Sequence, residues 1–457
     1  MLSRQFDYNN TKIKSATVQN IKRFEKPHRQ GVFKPKNKIT INLPMIPNAF
    51  GDLKNSFLKF DIHSAGESKF DNSAYCLFEK IVVSSKNIIL DELNNVGSYY
   101  NLALSLNNIS TNGYNNVIGQ NNDRHLPNQG QGVSTNVNNP TQITLPFIHG
   151  LWSCDRYLPL FSKSGVKIEF YLNDENNSLL ATNSANATFE IRNLEFVYPM
   201  MTLPEETFNS LNSSIDNYFI DVNSVFHHQV SVEQNSKQEY HIIPCRYSSV
   251  NSLMLMMPNT TDATTPNRIK YSARNASNLT EIQLKHKGVN YPQNPLKRVR
   301  GDDTNVATTN AKNSSEMYLT SLSTYSSVNS YNFRKEGDAF VLSIASAQTT
   351  DGDGSKVIST YERENCNVPN FTAVNNHASA NNTEFGSFFV AIPLTSYLSP
   401  ELNEASYSGL NTIGQDVYVN LQFGDTGVPV NSLFEYYTNY NSVIVLDKNT
   451  LEFSLIN

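Results

Sequence analysis

Two stretches decide how this chain is read. The first is ITLPF (Ile143 to Phe147), followed by a turn region with Trp152 and Tyr157, the pair Ser164 and Gly165, and then VKIEFYL (Val166 to Leu172). The second is VAIPL (Val390 to Leu394), a turn region with Tyr397, the pair Ser408 and Gly409, and then VYVNLQF (Val417 to Phe423). Each is a short apolar strand closed by a proline, a long crossover and an alternating strand. Successive side chains of a strand point to opposite faces. Val166, Ile168, Phe170 and Leu172 therefore face one core, and Val417, Val419, Leu421 and Phe423 face another. The copies mark the same late strands of two successive β units. Neither carries a catalytic pattern, so the duplication points to architecture, not chemistry.

Composition agrees with a β protein. Asn makes up about an eighth of the 457 residues, and there are 25 Phe and 23 Tyr but one Trp. Asn, Ser and Thr favour turns over helix interiors, while aromatic and β-branched residues favour strands. Hydrophobic residues are 39% and charged residues 17% of the chain. That composition excludes a disordered chain, and no apolar run is long enough for a membrane-spanning helix. MLSRQFDYNNTKIK at the start has no apolar core, so no signal peptide is expected. Cys76, Cys154, Cys245 and Cys366 are scattered, with no zinc spacing and no disulfide framework. No metal or cofactor is expected.

Working outward, the first half offers strands at 38–44, 57–63, 78–84, 87–93, 143–147, 166–172 and 187–200, with a bulge near Asn193 and a helix at 96–108. Leu203-Pro204-Glu205-Glu206 opens a connector helix, since proline and acids belong in a first turn. The second half repeats the order, with strands at 223–232, 239–245, 251–257, 281–287, 338–345, 390–394, 417–423, 442–447 and 451–456. A helical pattern at 316–327 sits where the first half has its helix. Polar loops fill 110–140, 258–313 and 349–383. About eight short strands per half define a jelly roll. The fold class is all-β: two tandem eight-stranded jelly-roll β-sandwiches with short helices and long loops. The boundaries are an arm at 1–36, a first roll at 37–203, a connector at 204–216 and a second roll at 217–457.

Charge is uneven. Net charge is −5, yet residues 1–38 hold ten Lys or Arg against Asp7 and Glu25. This segment reads as a basic extended arm with no sustained period, carrying Lys12, Lys14, Lys22, Arg23, Lys26, Arg29, Lys34, Lys36 and Lys38. It either ties neighbouring molecules together or neutralises phosphates or an anionic lipid surface.

With this order of elements, the chain resembles the double jelly-roll major capsid proteins of tailless icosahedral double-stranded DNA viruses. The resemblance rests on the two copies above, the connector at 204–215 and VFKPKNKITINLPMIPNAFGDLKNSFLKFDI (Val32 to Ile62). Within that stretch, Phe50 to Phe60 is similar to a phenylalanine-rich opening segment of the family. SGLNTIGQDVYVNLQF (Ser408 to Phe423) is similar to its last third. The resemblance implies homotrimeric capsomers with a pseudo-hexagonal outline that tile an icosahedral shell. Implied partners are neighbouring capsomers, penton and minor or cement proteins, and an internal membrane or the genome through the arm. The implied location is the virion, after synthesis in the host cytoplasm.

The remaining candidate sites read as structure. Lys297, Arg298 and Arg300 form a solvated cluster. Asp351 and Asp353 begin like a calcium loop, but Glu362 does not complete one. His227 and His228 are strand neighbours on opposite faces. Trp152, Tyr157 and Tyr397 plug sandwich ends. No hydrolase or nucleotide-binding motif is found. A two-sandwich spike, fibre or lectin-like module is the alternative to the capsid reading. A glycan hydrolase would need a carboxylate pair on one face, and none stands out.

Overall fold

The computed structural model describes residues 19–28, 31–66, 68–71, 73–106, 117–119, 131–154, 156–175, 178–181, 188–257, 271, 277–297, 316–317, 320–321, 324, 349–350, 356–357, 389–395, 409–428 and 431–456. Eight main strands build the first half: β1 (Gln19–Glu25), β2 (Lys38–Leu43), β3 (Phe57–Ser64), β4 (Phe78–Ser85), β5 (Ile88–Asn94), β6 (Thr141–Pro146), β7 (Val166–Leu172) and β8 (Phe189–Thr202). Helix α1 (Val96–Leu106) follows β5, and α2 (Glu205–Ser214) connects the halves. The second half contains β9 (Asn217–Val232), β10 (Gln238–Ile243), β11 (Val250–Met256), β12 (Leu279–His286), β13 (Val289–Lys297), β14 (Phe389–Pro393), β15 (Val417–Phe423) and β16 (Ser432–Asp447).

The two halves match strand for strand. The first has sheets ordered β1-β8-β3-β6 and β2-β7-β4-β5, and the second has β9-β16-β11-β14 and β10-β15-β12-β13. Adding eight to each label of the first half gives the second. Short strands Ala49–Gly51 and Leu158–Pro159 extend the first sheet along β8, and Phe453–Ile456 pairs with β16. All pairings are antiparallel. Each half is thus a jelly roll.

Register makes the match residue-specific. Across the first sheet, one row reads Phe24, Val197, Phe57, Pro146. Its counterpart is Val225, Asn439, Ser252, Pro393. On the facing sheets, Ile41, Ile168, Val83 and Asp91 correspond to His241, Val419, Leu284 and Tyr291. The repeated prolines and the alternating strands therefore anchor an equivalence that reaches the outermost strands.

Each sandwich is closed by side chains from both sheets. Phe60 on β3 meets Phe78 on β4 edge-on at 6.2 Å between centroids, and Phe423 on β15 meets Phe434 on β16 at 6.0 Å. Val166, Ile168, Phe170, Leu172, Val417, Val419, Leu421 and Phe423 are all buried in the core. Burying each such side chain contributes about 1.5–3 kcal/mol. Near Asn193 the chain takes a φ of 51°, and the β8–β3 register shifts between Arg192 and Glu195, as expected of a bulge.

Five readings need correction. The segment 1–36 is not wholly an irregular arm, because its residues 19–25 are the opening strand β1. That strand lies at a sheet edge and is held by backbone pairing to β8, so its side chains have no apolar alternation to reveal it. The last long strand spans 432–447 and the strand after the connector starts at 217, both well before the expected starts at 442 and 223. β13 was not foreseen, since its Pro292 and Pro295 argue against a strand. Both are tolerated because β13 is an edge strand. The glycines of the two copies also differ in place. Gly165 sits in a turn at φ 62°, while Gly409 lies flat against β11. The expected strand at 338–345, most of the helix at 316–327 and the bulk of the long loops fall outside the described residues. The described positions 316, 317, 320, 321 and 324 are helical, and the Ser321 hydroxyl accepts from the Ala391 N–H at 2.9 Å.

A Cβ on Gly409 would sit 2.5 Å from the Val250 carbonyl oxygen, whereas one on Gly31 meets nothing within 4 Å. Gly409→Ala is expected to destabilise the fold by about 1–3 kcal/mol. Gly31→Ala should be neutral; equal melting temperatures for the two variants would contradict the packing described.

Candidate functional site, the seam between the two sandwiches

Strand β9 has one side paired to β16 and the other turned to the first sandwich. Its outer backbone meets an isolated bridge, with the Gly150 N–H donating to the Asn223 carbonyl at 2.8 Å. The Asn223 N–H donates to the Ser153 hydroxyl at 3.0 Å, and Arg156 donates to the Phe219 carbonyl at 2.6 Å. Buried backbone groups without partners are costly, and these contacts cover the strand edge.

Behind the bridge lies a buried polar cluster. The Ile148 N–H donates to the Tyr100 hydroxyl, which lies 2.8 Å from Nδ1 of His149. The other ring nitrogen, Nε2, lies 3.6 Å from Oδ2 of Asp91. Asp91 is 4% exposed and His149 1%. Among the described residues, neither carboxylate oxygen of Asp91 nor Nε2 of His149 has a hydrogen bond. Burial pushes the Asp91 carboxyl up to about 7, although Ser224 of β9 beside it works the other way. Burial pushes the His149 imidazole down to about 3. Both are neutral at mildly acidic pH, the cheapest state for a desolvated pair. Gly150 is required here, because a Cβ would fall 1.8 Å from Asp91 Oδ2.

Further contacts lock the sandwiches. Asn95 donates to Oε1 of buried Glu435 at 2.6 Å, and the Tyr437 hydroxyl donates to the other oxygen at 3.2 Å. Tyr99 packs on Tyr437 at 5.7 Å. Tyr271, from the second half's insertion, is buried in the first sandwich. Its N–H donates to Asp71 at 2.7 Å, and Asn173 donates to its hydroxyl at 2.8 Å. Gly97 of α1 lies against its ring, where a Cβ would come within 2.8 Å. At one end, Phe50, Phe161, Phe208 and Tyr218 cluster at 5.0–6.4 Å. Lys448 donates to the carbonyls of Asn212 and Ile215 at the end of α2, placing a cation where the helix dipole favours one.

The basic residues do not converge on one site. Lys22 lies 4.9 Å over the Phe57 ring, and Arg23 pairs with Glu25 at 3.0 Å. Lys34 pairs with Glu190 at 3.4 Å and Lys38 with Glu169 at 2.8 Å. The hydrogen bond to Glu169 raises the Lys38 ammonium; burial opposes, but Lys38 and Lys167 together hold Glu169 below the usual range. Lys26 and Lys36 are exposed. Lys12, Lys14 and Arg29 lie outside the described residues.

Trp152 is buried and donates to the Ser56 hydroxyl at 3.0 Å, so it closes a sandwich. Tyr157 is exposed; Tyr397 is not among the described residues. His227 packs on Tyr437 at 4.8 Å and His228 stacks on Phe226. Lys297 pairs with Glu281 at 3.0 Å. Cys76, Cys154 and Cys245 are buried, and burial pushes Cys245 up to about 11. Arg298, Arg300, Asp351, Asp353, Glu362 and Cys366 lie outside the described residues. Sequence reading missed the seam and Tyr271. A lone aromatic in a polar insertion was the available signal.

No family model and no curated protein matches this sequence. Solved structures match its fold over nearly its whole length. VP54 of PBCV-1, in a crystal structure fitted into a cryo-EM reconstruction of the virophage Sputnik, is similar at 11% identity and a TM-score of 0.59, covering 96% of this chain and 97% of that one. The Faustovirus major capsid protein follows at 9% identity and 0.53, covering 96% and 91%. The Sputnik virophage structure gives 11% identity and 0.52, covering 100% and 92%. At such identities the likeness is one of fold. The chain has the all-β double jelly-roll fold of viral major capsid proteins.

The seam has a signed pH dependence. The raised Asp91 carboxyl makes folding less favourable as pH climbs from about 4 to 7, whereas the lowered His149 makes it less favourable as pH falls from about 6.5 to 3. The two slopes oppose each other between pH 4 and 6.5. Asp91→Asn removes one of them. Relative to wild type, the variant should gain about 2 kcal/mol of stability on going from pH 5 to pH 7. Unfolding curves at both pH values check this, and an unchanged difference would rule out a proton held on Asp91.

Proposed function

We propose that this chain is a structural virion protein, a major capsid protein whose capsomer is a ring of three copies and therefore of six sandwiches. The observation that carries the reading is the pair of strand-for-strand equivalent rolls, locked by a buried seam, in a fold shared along nearly the whole chain with viral major capsid proteins. A shell needs identical tiles with closed symmetry. Two equivalent rolls per chain give a threefold ring an almost hexagonal outline, which fills a flat lattice. The partners in this reading are neighbouring capsomers, penton proteins and minor or cement proteins, and the location is the virion. No catalytic role is part of it. Arg23, Lys34 and Lys38 already pair with carboxylates of the chain. Any contact with genome or membrane is therefore assigned to Lys12, Lys14 and the other basic residues of the first stretch.

Light scattering after size exclusion should give about 150 kDa, three times the 51.3 kDa chain. Negative-stain images should show a pseudo-hexagonal face. A monomer would instead fit the two-sandwich binding module. Removing residues 1–18, which precede β1, should leave the ring intact and impair shell assembly. Normal shells from that deletion would remove the arm from the assembly role.

A further inference from the structure

The connector helix α2 is thinly covered. None of its ten residues is buried, and Leu211 is 36% exposed. One flank of the helix walls an open pocket of about 460 Å³. Met45, Ile46, Pro47, Phe161, Phe208 and Leu451 make it largely apolar, and Met45 is 60% exposed. Phe161 and Phe208 meet edge-on at 5.0 Å, an arrangement that further rings can join. Glu205 and Glu206 open the helix and are exposed. Glu205 and Asn212, which lies on the pocket wall, are about 10 Å apart along the helix.

The chain itself supplies a segment that fits. Residues 1–18 precede β1 and lie outside the described residues. Gln19 pairs with Thr202, and Thr202 pairs on its other side with Ala49. Neighbouring strands are about 4.8 Å apart, so residue 19 is roughly 10 Å from Ala49; the next residue, Asn48, is on the pocket wall. Because β1 is antiparallel to β8, the chain before Gln19 leaves past Thr202, toward Leu203 and α2. In an extended segment alternate residues share a face, which puts Phe6, Tyr8, Lys12 and Lys14 together. Tyr8 and Lys12 are then about 13 Å apart, close to the helix spacing from pocket to acids. Lys163 and Lys448 also line the pocket, and Asp7 between the two aromatics carries the answering charge.

We propose that residues 6–14 strap the connector of their own chain, with Phe6 and Tyr8 in the pocket and Lys12 and Lys14 on Glu205 and Glu206. The inference does not depend on a ring or a shell, since one chain carries both parts. It has a consequence for the basic stretch. Lys12 and Lys14 reach a phosphate-bearing surface only when the strap leaves α2. Their charge is held back until a competing anionic surface displaces Glu205 and Glu206.

Disulfide trapping in the full-length chain tests this. Lys12→Cys with Glu205→Cys should link within one chain after oxidation, read by mass spectrometry as a joined pair of peptides in a band of single-chain size. Adding Phe6→Asp and Tyr8→Asp should slow the link about tenfold, since trapping follows the docked population. These two positions precede the described fold, so the change does not test its folding. An unchanged rate would mean a loose tail and overturn the docking. Links between two chains would place the segment in a neighbour's pocket and overturn the arrangement within one chain. Trypsin gives a check without cysteines. It should cut after Lys12 and Lys14 about tenfold faster in Glu205→Lys with Glu206→Lys than in wild type. Equal cutting rates would remove the two acids from the strap's seat.

Discussion

An edge strand presents a row of backbone donors and acceptors that no neighbour in its own sheet can satisfy. Much of this molecule is arranged around that constraint at β9. The Gly150 bridge, the Ser153 hydroxyl and Arg156 satisfy its outer side. The close approach this demands leaves no room for a side chain at position 150, and it encloses Asp91 and His149 away from water. Burial thereby favours the neutral form of both groups. The seam is a polar joint whose buried groups lean to their neutral forms, with the Tyr99–Tyr437 contact beside it and an aromatic cluster at one end.

The contacts of Gly150, Ser153 and Arg156 with Asn223 and Phe219 cross from one sandwich to the other, and uncovering buried backbone groups is costly, so the two sandwiches resist being moved relative to each other. Asn95 and Glu435, Tyr99 and Tyr437, and Lys448 at the end of α2 add independent restraints at separate points along the joint. A joint fastened at several separated places transmits force as one body.

Much of the fold was legible because strands with one buried face must alternate. VKIEFYL and VYVNLQF were read to the residue, and the connector helix was visible from Pro204 and its two acids. β1 was not legible, since QNIKRFE buries no face of its own and is held by its backbone. β13 was hidden by its prolines, and the upstream end of β16 by the polar residues Glu435, Thr438 and Asn439 among its aromatics; the upstream end of β9 does alternate, with Tyr218, Ile220 and Val222 buried. The seam itself could not be read. Asp91, His149 and Ser224 are far apart in sequence, and each looks ordinary until topology places them together. The basic segment showed the opposite failure: its charge was plain, but the pairing of Lys34 with Glu190 and of Lys38 with Glu169 depends on strands far along the chain.

Tyr271 has a consequence for the order of events. It belongs to the crossover between β11 and β12, but its pocket is built by Gly97, Asp71 and Asn173 of the first sandwich. Tyr271 cannot dock until that pocket exists. Synthesis from the N-terminus supplies the first sandwich before the crossover emerges. The first half is thus a template on which the second is fastened, and the chain's direction of growth is part of how two look-alike halves avoid pairing their strands with one another.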